Sequence, residues 1–384
     1  MDLGVTSFQL EIPREIRFGA GALDGLRGIV EPIGTRVLLV SGDRWLGDSP
    51  WGSRILAALD GLTVHPVRCA KGEPTSESIA NALAAAEETR PQAIVAVGGG
   101  SVIDTAKALS GLLAHGGPVE RFLEGNVGSV PVPGPGVPWI AIPTTAGTGA
   151  EVTKNAVVRS QSQGVKRSMR SAHLLARAVL VDPLLTVSLP PSVTGTAGLD
   201  ALTQLVEAYV SRGSNPFVRS IVEGAFPGMV TALRGLAASP SDPELRALAS
   251  YGALMSGIAL ANSGLGAAHG FAGALGGMFD IPHGLACAVL LSPVLRANRD
   301  VIRPYLERLT APCGREPGSD PVEWMVATVR DLLTAYGLPD DLRAFKVGAE
   351  AVEEIVRKSS GSSMRGNPRE LSPAERAGIL SEVL

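Results

Sequence analysis

Ala93-Ile94-Val95-Ala96-Val97 carries no polar side chain and runs directly into Gly98-Gly99-Gly100-Ser101-Val102-Ile103-Asp104-Thr105-Ala106-Lys107. An apolar run with no solvent-facing side predicts a strand covered on both faces, as the strands of a parallel sheet are. Arg36-Val37-Leu38-Leu39-Val40, ending at Ser41-Gly42, gives the same signal, and the segment 76–88 between the two reads as a helix with Ile79, Leu83 and Ala86 inward. Buried strands alternating with helices imply an α/β domain whose ligands sit at the carboxyl ends of the strands.

The glycine run occupies such a place. Glycines let backbone N–H groups approach a pyrophosphate, and the dipole of the helix that follows adds favourable charge. The run is not G-x-G-x-x-G, and a bare tight turn with no ligand reads the same way. Beyond a Gly/Pro-rich loop over 128–138, Trp139-Ile140-Ala141-Ile142 leads into Pro143-Thr144-Thr145-Ala146-Gly147-Thr148-Gly149-Ala150-Glu151. Hydroxyls interleaved with glycine suit ribose and phosphate oxygens, although a flexible loop has the same composition.

Val179-Leu180-Val181-Asp182-Pro183 is the last clear strand signal. Pro190-Pro191-Ser192 then starts a helix, and the chain continues as helices broken at 211–216 and 239–243. The domain boundary is expected near residue 185, giving an α/β domain over 1–185 and an all-helical domain over 186–384. Two of the five histidines, His269 and His283, stand fourteen positions apart in the helical half, the first on an Ala/Gly/Leu-rich run. Pro282 places them on a helix and on the turn after it. Buried imidazoles serve as metal ligands, as acid/base groups or as core residues bonded to carbonyls. Asp200 and Gln204 lie one helical turn apart among Leu199, Leu202 and Leu205, where a buried carboxylate needs a cation or donors. With the two histidines they make an oxygen/nitrogen metal set, in which a neutral glutamine is the weakest ligand.

Gly198-Leu199-Asp200-Ala201-Leu202, then His269, then Ile281-Pro282-His283-Gly284, resembles the iron-containing (group III) alcohol dehydrogenase family, whose members include lactaldehyde, glycerol and maleylacetate reductases. The resemblance covers nearly the whole chain. It implies a Rossmann-like N-terminal domain with a parallel sheet and an all-α C-terminal domain, the architecture shared with dehydroquinate synthase. It also implies that Asp200, His269 and His283 are catalytic and occupy three of four positions that ligate one divalent metal, iron or zinc. Gln204 stands where the family has its first metal histidine, and Gly273 where many members carry a histidine lining the substrate pocket. The GGGS-x-x-D-x-x-K signature places Gly98, Gly99, Gly100, Ser101 and Asp104 in the dinucleotide site. TT-x-GTG-x-E adds Thr144, Thr145 and Thr148, and Lys166 corresponds to a lysine near the nicotinamide ribose. Gly42 takes the position where NAD-using members place an acidic residue. Its neighbour Asp43, if turned inward, favours NAD, and Arg44 favours NADP. The expected cofactor is therefore NAD or NADP, with NAD preferred.

The activity implied is NAD(P)-dependent transfer of a hydride between nicotinamide and a hydroxyl or carbonyl substrate in the interdomain cleft, with reacting atoms about 3–3.5 Å apart. The departures at Gln204 and Gly273 also suit two other readings. Small residues at Gly270, Ala272, Gly273 and Ala274 make room for a bulkier substrate. Divergent relatives oxidise and decarboxylate the C-terminal threonine of daptide-type peptides, a specialised chemistry that could dispense with metal. The second alternative is an inactive cofactor-binding scaffold subunit.

Composition narrows the partners. The net charge of −3 gives no case for nucleic acid or an anionic membrane. No signal segment precedes the first domain and no apolar span is long enough for a bilayer. Three widely spaced cysteines, Cys69, Cys287 and Cys313, fit a reduced cytoplasm and ordinary packing. The expected partners are a small-molecule or peptide substrate and a second copy of the chain in a homodimer.

Overall fold

The computed structural model describes residues 7–43, 45–70, 72–160 and 165–384; Arg44, whose charge bears on cofactor choice, lies outside the described residues. The chain divides into two compact units. One comprises Glu11–Thr145 and Gly149–Val187. The other comprises Ser188–Leu384 with Ala146–Thr148 and the described residues up to Leu10.

The first unit holds β1 (Glu15–Phe18), β2 (Arg36–Gly42), β3 (Thr63–Cys69), β4 (Ala93–Gly98), β5 (Trp139–Pro143), β6 (Asn155–Ser160), β7 (Val165–Arg170) and β8 (Ala178–Val181). Six of them form one sheet in the order β1-β8-β5-β4-β2-β3, and every pairing in it is parallel. The helices of this unit are α1 (Leu26–Val30), α2 (Trp45–Asp48), α3 (Pro50–Ala58), α4 (Ser76–Glu87) and α5 (Gly100–His115). Alternate residues of a strand face opposite sides. Val37, Leu39, Val95, Val97, Ile140 and Ile142 pack with Leu26 and Ile55 on one side, while Leu38, Val40, Ile94 and Ala96 are fully buried on the other. Each such Val, Leu or Ile side chain contributes about 1.5–3 kcal/mol of burial, so the expected two-sided cover is met in the central strands. The polar β6–β7 hairpin stands apart as an antiparallel pair.

The chain runs from β2 outward to β3, then returns to the opposite side of β2 for β4 and β5. The strand order therefore reverses between β2 and β4, and the carboxyl ends that flank the reversal belong to Gly42 and Gly98. Open α/β sheets bind ligands at that point.

The second unit is helical, with α6 (Pro191–Val210), α7 (Pro216–Ala238), α8 (Pro243–Ser263), α9 (Ala267–Phe279), α10 (His283–Ala297) and further short helices to the C-terminus. Proline at the first turn starts α6, α7 and α8, while Asn215 and Asp242 cap α7 and α8 by accepting from backbone N–H groups. From Gly198 to Val210 every residue of α6 is buried, so this helix is central to the unit. Among the described residues, no helix is long and apolar enough to cross a membrane.

Candidate active site

The carboxyl edge of the sheet gathers most of the expected dinucleotide residues. Register places Gly98 opposite Pro143, and Thr144 N donates to Gly98 O at 3.0 Å, extending the ladder one step past the strand end. Gly99 caps α5 with no side chain, leaving the first backbone N–H groups of a sixteen-residue helix without a side-chain acceptor. A Cβ at Gly99 would lie 3.2 Å from Thr145 Oγ1. Gly42 ends β2 on the other flank of the reversal, and Asp43 follows it in an exposed turn.

Three other expected contacts have different surroundings. Asp104 is buried; its Oδ2 accepts from Val157 N at 3.1 Å and its Oδ1 from Lys107 Nζ at 3.4 Å. Lys107 Nζ also donates to Thr153 Oγ1 and Asn155 O, both at 2.8 Å. These bonds tie α5 to β6 and commit both Asp104 oxygens to protein partners. Lys166, on β7, pairs with Glu73. The carbonyl of Thr148 accepts from Gln204 Nε2 within the helical unit.

In that unit Asp200, His269 and His283 converge. Asp200 Oδ1 is 3.2 Å from His269 Nε2 and 3.9 Å from His283 Nε2, and the two imidazole centroids are 5.5 Å apart. His269 lies in the first turn of α9, and His283 opens α10 behind Pro282. Close helix packing brings them together. A Cβ on Gly284 would meet the backbone oxygen of Thr196 at 2.3 Å, so only glycine lets α10 approach α6 this closely.

Two members of the cluster went unseen in the sequence. Glu207 Oε2 accepts from His269 Nδ1 at 2.6 Å, and its Oε1 accepts from Ala268 N at 2.7 Å. Cys287 Sγ is 3.7 Å from His283 Nε2, and the donor atoms of Asp200, His269, His283 and Cys287 all lie within 4.8 Å of one another. The signal was present as spacing: Cys287 follows His283 by one turn, and Glu207 follows Asp200 by two. Gln204 is placed otherwise than a ligand would be. Its Oε1 accepts from Ser256 Oγ at 2.8 Å, and its Nε2 donates to Asp200 Oδ2 at 3.2 Å. A buried amide has to satisfy both ends, and here that need turns its oxygen toward α8.

The electrostatics are those of a cation site. Burial pushes Asp200 up, but the His269 hydrogen bond and the charge of His283 outweigh it and hold the carboxyl below its ordinary value. Burial pulls His269 down, yet Cys287, Asp200 and Glu207 together leave it well above the ordinary imidazole value. Cys287 is the largest influence raising His283. With Nδ1–H given to Glu207, a neutral His269 presents a lone pair at Nε2 toward the Asp200 carboxylate. Two acceptors at 3.2 Å need a proton or a metal ion between them. A tetrahedral divalent ion with bonds of about 2.0–2.3 Å sets its donors about 3.3–3.8 Å apart. Three of the spacings, 3.2, 3.7 and 3.9 Å, fall at or beside that range and the other donor pairs lie within 4.8 Å, so the donor set suits such an ion.

Similarity to known proteins covers both units. The sequence model for iron-containing alcohol dehydrogenase matches residues 13–183, and that for the C-terminal part of the Fe-containing alcohol dehydrogenase family matches residues 194–384. Long-chain-alcohol dehydrogenase 1 of Geobacillus thermodenitrificans is 34% identical over 345 residues, 88% of this chain and 87% of that protein. The crystal structure of a 1,3-propanediol oxidoreductase superposes with a TM-score of 0.92 at 28% identity, covering 99% of this chain and 100% of the other. Sulfoacetaldehyde reductase from Bifidobacterium kashiwanohense, solved in complex with NAD+, superposes with a TM-score of 0.89 at 26% identity, covering 98% and 99%.

Proposed function

The chain belongs to the iron-containing alcohol dehydrogenase family, and on that premise we propose that it interconverts an alcohol and its carbonyl compound with NAD, receiving the substrate oxygen at Asp200, His269 and His283. The observation that carries this reading is the position of Asp200 Oδ1 between two imidazole nitrogens at 3.2 and 3.9 Å. Asp200, His269 and His283 would hold a divalent ion, which would supply Lewis-acid polarisation of the carbon–oxygen bond, and the dinucleotide site would supply a nicotinamide as hydride acceptor or donor.

The chain's own residues prepare that chemistry. Glu207 fixes the tautomer of His269 and aims Nε2 at the cluster. Gln204 holds the second oxygen of Asp200, leaving Oδ1 for the reacting side. The side chain of His283 is 34% exposed where those of Asp200 and His269 are 3% and 6%, so the cluster opens on the His283 side and substrate enters there. The helix N-terminus behind Gly98–Ser101, with Thr144 and Thr145 beside it, receives the dinucleotide phosphates. Asp43 at the end of β2 receives the adenosine ribose, which favours NAD over its 2′-phosphorylated form.

The substrate class follows from Gly273. A Cβ there would meet nothing within 4 Å, so space remains where many relatives carry an imidazole. A primary alcohol or aldehyde with a long or bulky tail uses that space. Catalytic efficiency measured with NAD+ over primary alcohols of increasing length, together with a short peptide ending in threonine, tests the reading. Efficiency should climb with substrate size. Efficiency that falls steadily from ethanol upward removes the bulky-substrate reading, and inertness of the whole panel with both NAD+ and NADP+ removes the dehydrogenase reading itself.

A further inference from the structure

We propose that Cys287 is the fourth protein donor to the divalent ion, giving an aspartate–histidine–histidine–cysteine site selective for a borderline-soft metal of the zinc class. This rests on the reading that Asp200, His269 and His283 hold such an ion.

Cys287 stands one turn after His283 on α10, on the same helix face. Its Sγ is 3.7 Å from His283 Nε2 and within 4.8 Å of the donor atoms of Asp200 and His269. A tetrahedral site with a metal–sulfur bond of about 2.3 Å and a metal–nitrogen bond of about 2.05 Å sets that pair about 3.6 Å apart. Buried cysteines ordinarily pack as small hydrophobes. This one is fully buried, yet two imidazoles and a carboxylate stand around its sulfur.

Gln204 cannot readily take the role instead. Its oxygen is engaged by Ser256, and turning the amide over would set that oxygen against Asp200 Oδ2 at 3.2 Å, oxygen facing carboxylate. The residue that lacks an imidazole thus braces Asp200, and the sulfur across the cluster supplies the fourth protein donor, with the substrate oxygen joining as a fifth ligand. Binding releases the thiol proton to solvent and gives the ion a thiolate. Thiolate with imidazole favours zinc, whereas oxygen and imidazole donors alone would admit iron more readily.

Cobalt(II) reports the ligand directly, because thiolate ligation produces a near-ultraviolet sulfur-to-metal charge-transfer band that nitrogen and oxygen donors do not. The full-length protein is stripped with chelator and titrated with cobalt(II). One equivalent should bind with that band. Cys287→Ser should lose the band and bind cobalt at least about tenfold more weakly, while Cys69→Ser and Cys313→Ser should keep both. One bound equivalent, lost in His269→Ala but showing no charge-transfer band in the wild type, overturns the role of Cys287 and leaves the Asp200–His269–His283 site standing. Absence of any cobalt binding overturns both. The wild-type spectrum decides by itself if Cys287→Ser fails to fold.

Discussion

Glu207 Oε2 and His269 Nδ1 lie 2.6 Å apart, and the same carboxylate takes the backbone N–H groups of Ala268 and His269 at the start of α9. One acidic side chain therefore anchors a helix N-terminus and fixes which ring nitrogen faces Asp200. Glu207→Gln keeps an acceptor and nearly the same shape but weakens the charge-assisted bond. It should lower divalent-metal affinity about 10–100-fold, as the loss of such supporting partners does elsewhere. Competition against a colorimetric chelator measures this. Unchanged affinity in a folded Glu207→Gln would mean that the bond serves only to cap α9.

The glycine turn admits an equally direct test. Gly99→Val puts a branched side chain against Thr145 and over the N-terminus of α5. Saturable quenching of protein fluorescence by NADH should disappear while circular dichroism stays native. Retention of wild-type NADH affinity would place the dinucleotide elsewhere.

Much of this was legible in the sequence. The apolar runs of β2, β4 and β8 announced themselves because strands buried on both faces tolerate no polar residue. β1 and β3 did not, because they are edge strands: Glu-Ile-Arg-Phe is short and half polar, and β3 carries Pro66. The β6–β7 hairpin is polar, and its burial comes from one side only. Asp200, His269 and His283 could be assembled from family motifs, but Cys287 reads as a packing residue and Glu207 carries no signal of its own until the helices are placed. Asp104 shows the converse. The motif implies a cofactor contact there, and in the fold its oxygens accept from Val157 N and Lys107 Nζ, a tie between α5 and β6 that the motif does not announce.

Gly273 separates packing from substrate choice. It sits inside α9 with open space beside it, so Gly273→Ala should stabilise the protein by about 0.5–1 kcal/mol through helix propensity. Gly273→Phe should fold equally well but depress catalytic efficiency for long or branched alcohols more than for ethanol. An equal loss across the size series would show that this space is not used by substrate.

Burial pushes the Glu151 carboxyl from 4.5 up to about 7. Between those values the folded protein keeps a proton that the unfolded chain has released, so stability falls as pH rises through the interval, by about 3 kcal/mol. Below it both states are protonated, and above it both are ionised, so the slope vanishes on either side. Glu151→Gln mimics the protonated acid. In urea titrations it should match wild type near about pH 4 and exceed it by about 3 kcal/mol near about pH 8. Parallel pH profiles for the two proteins would show that Glu151 titrates normally.

The most direct test of the central claim follows a deuterium atom. Metal-replete protein is given NAD+ and a long-chain primary alcohol deuterated at the carbinol carbon, and the reduced cofactor is analysed by mass spectrometry. Deuterium should appear in the nicotinamide in step with aldehyde formation, and Asp200→Ala, His269→Ala and His283→Ala should each abolish the transfer while NADH affinity is retained, with double variants no worse than singles. Aldehyde formed without label in the nicotinamide, or transfer at the wild-type rate in His283→Ala, would contradict the account.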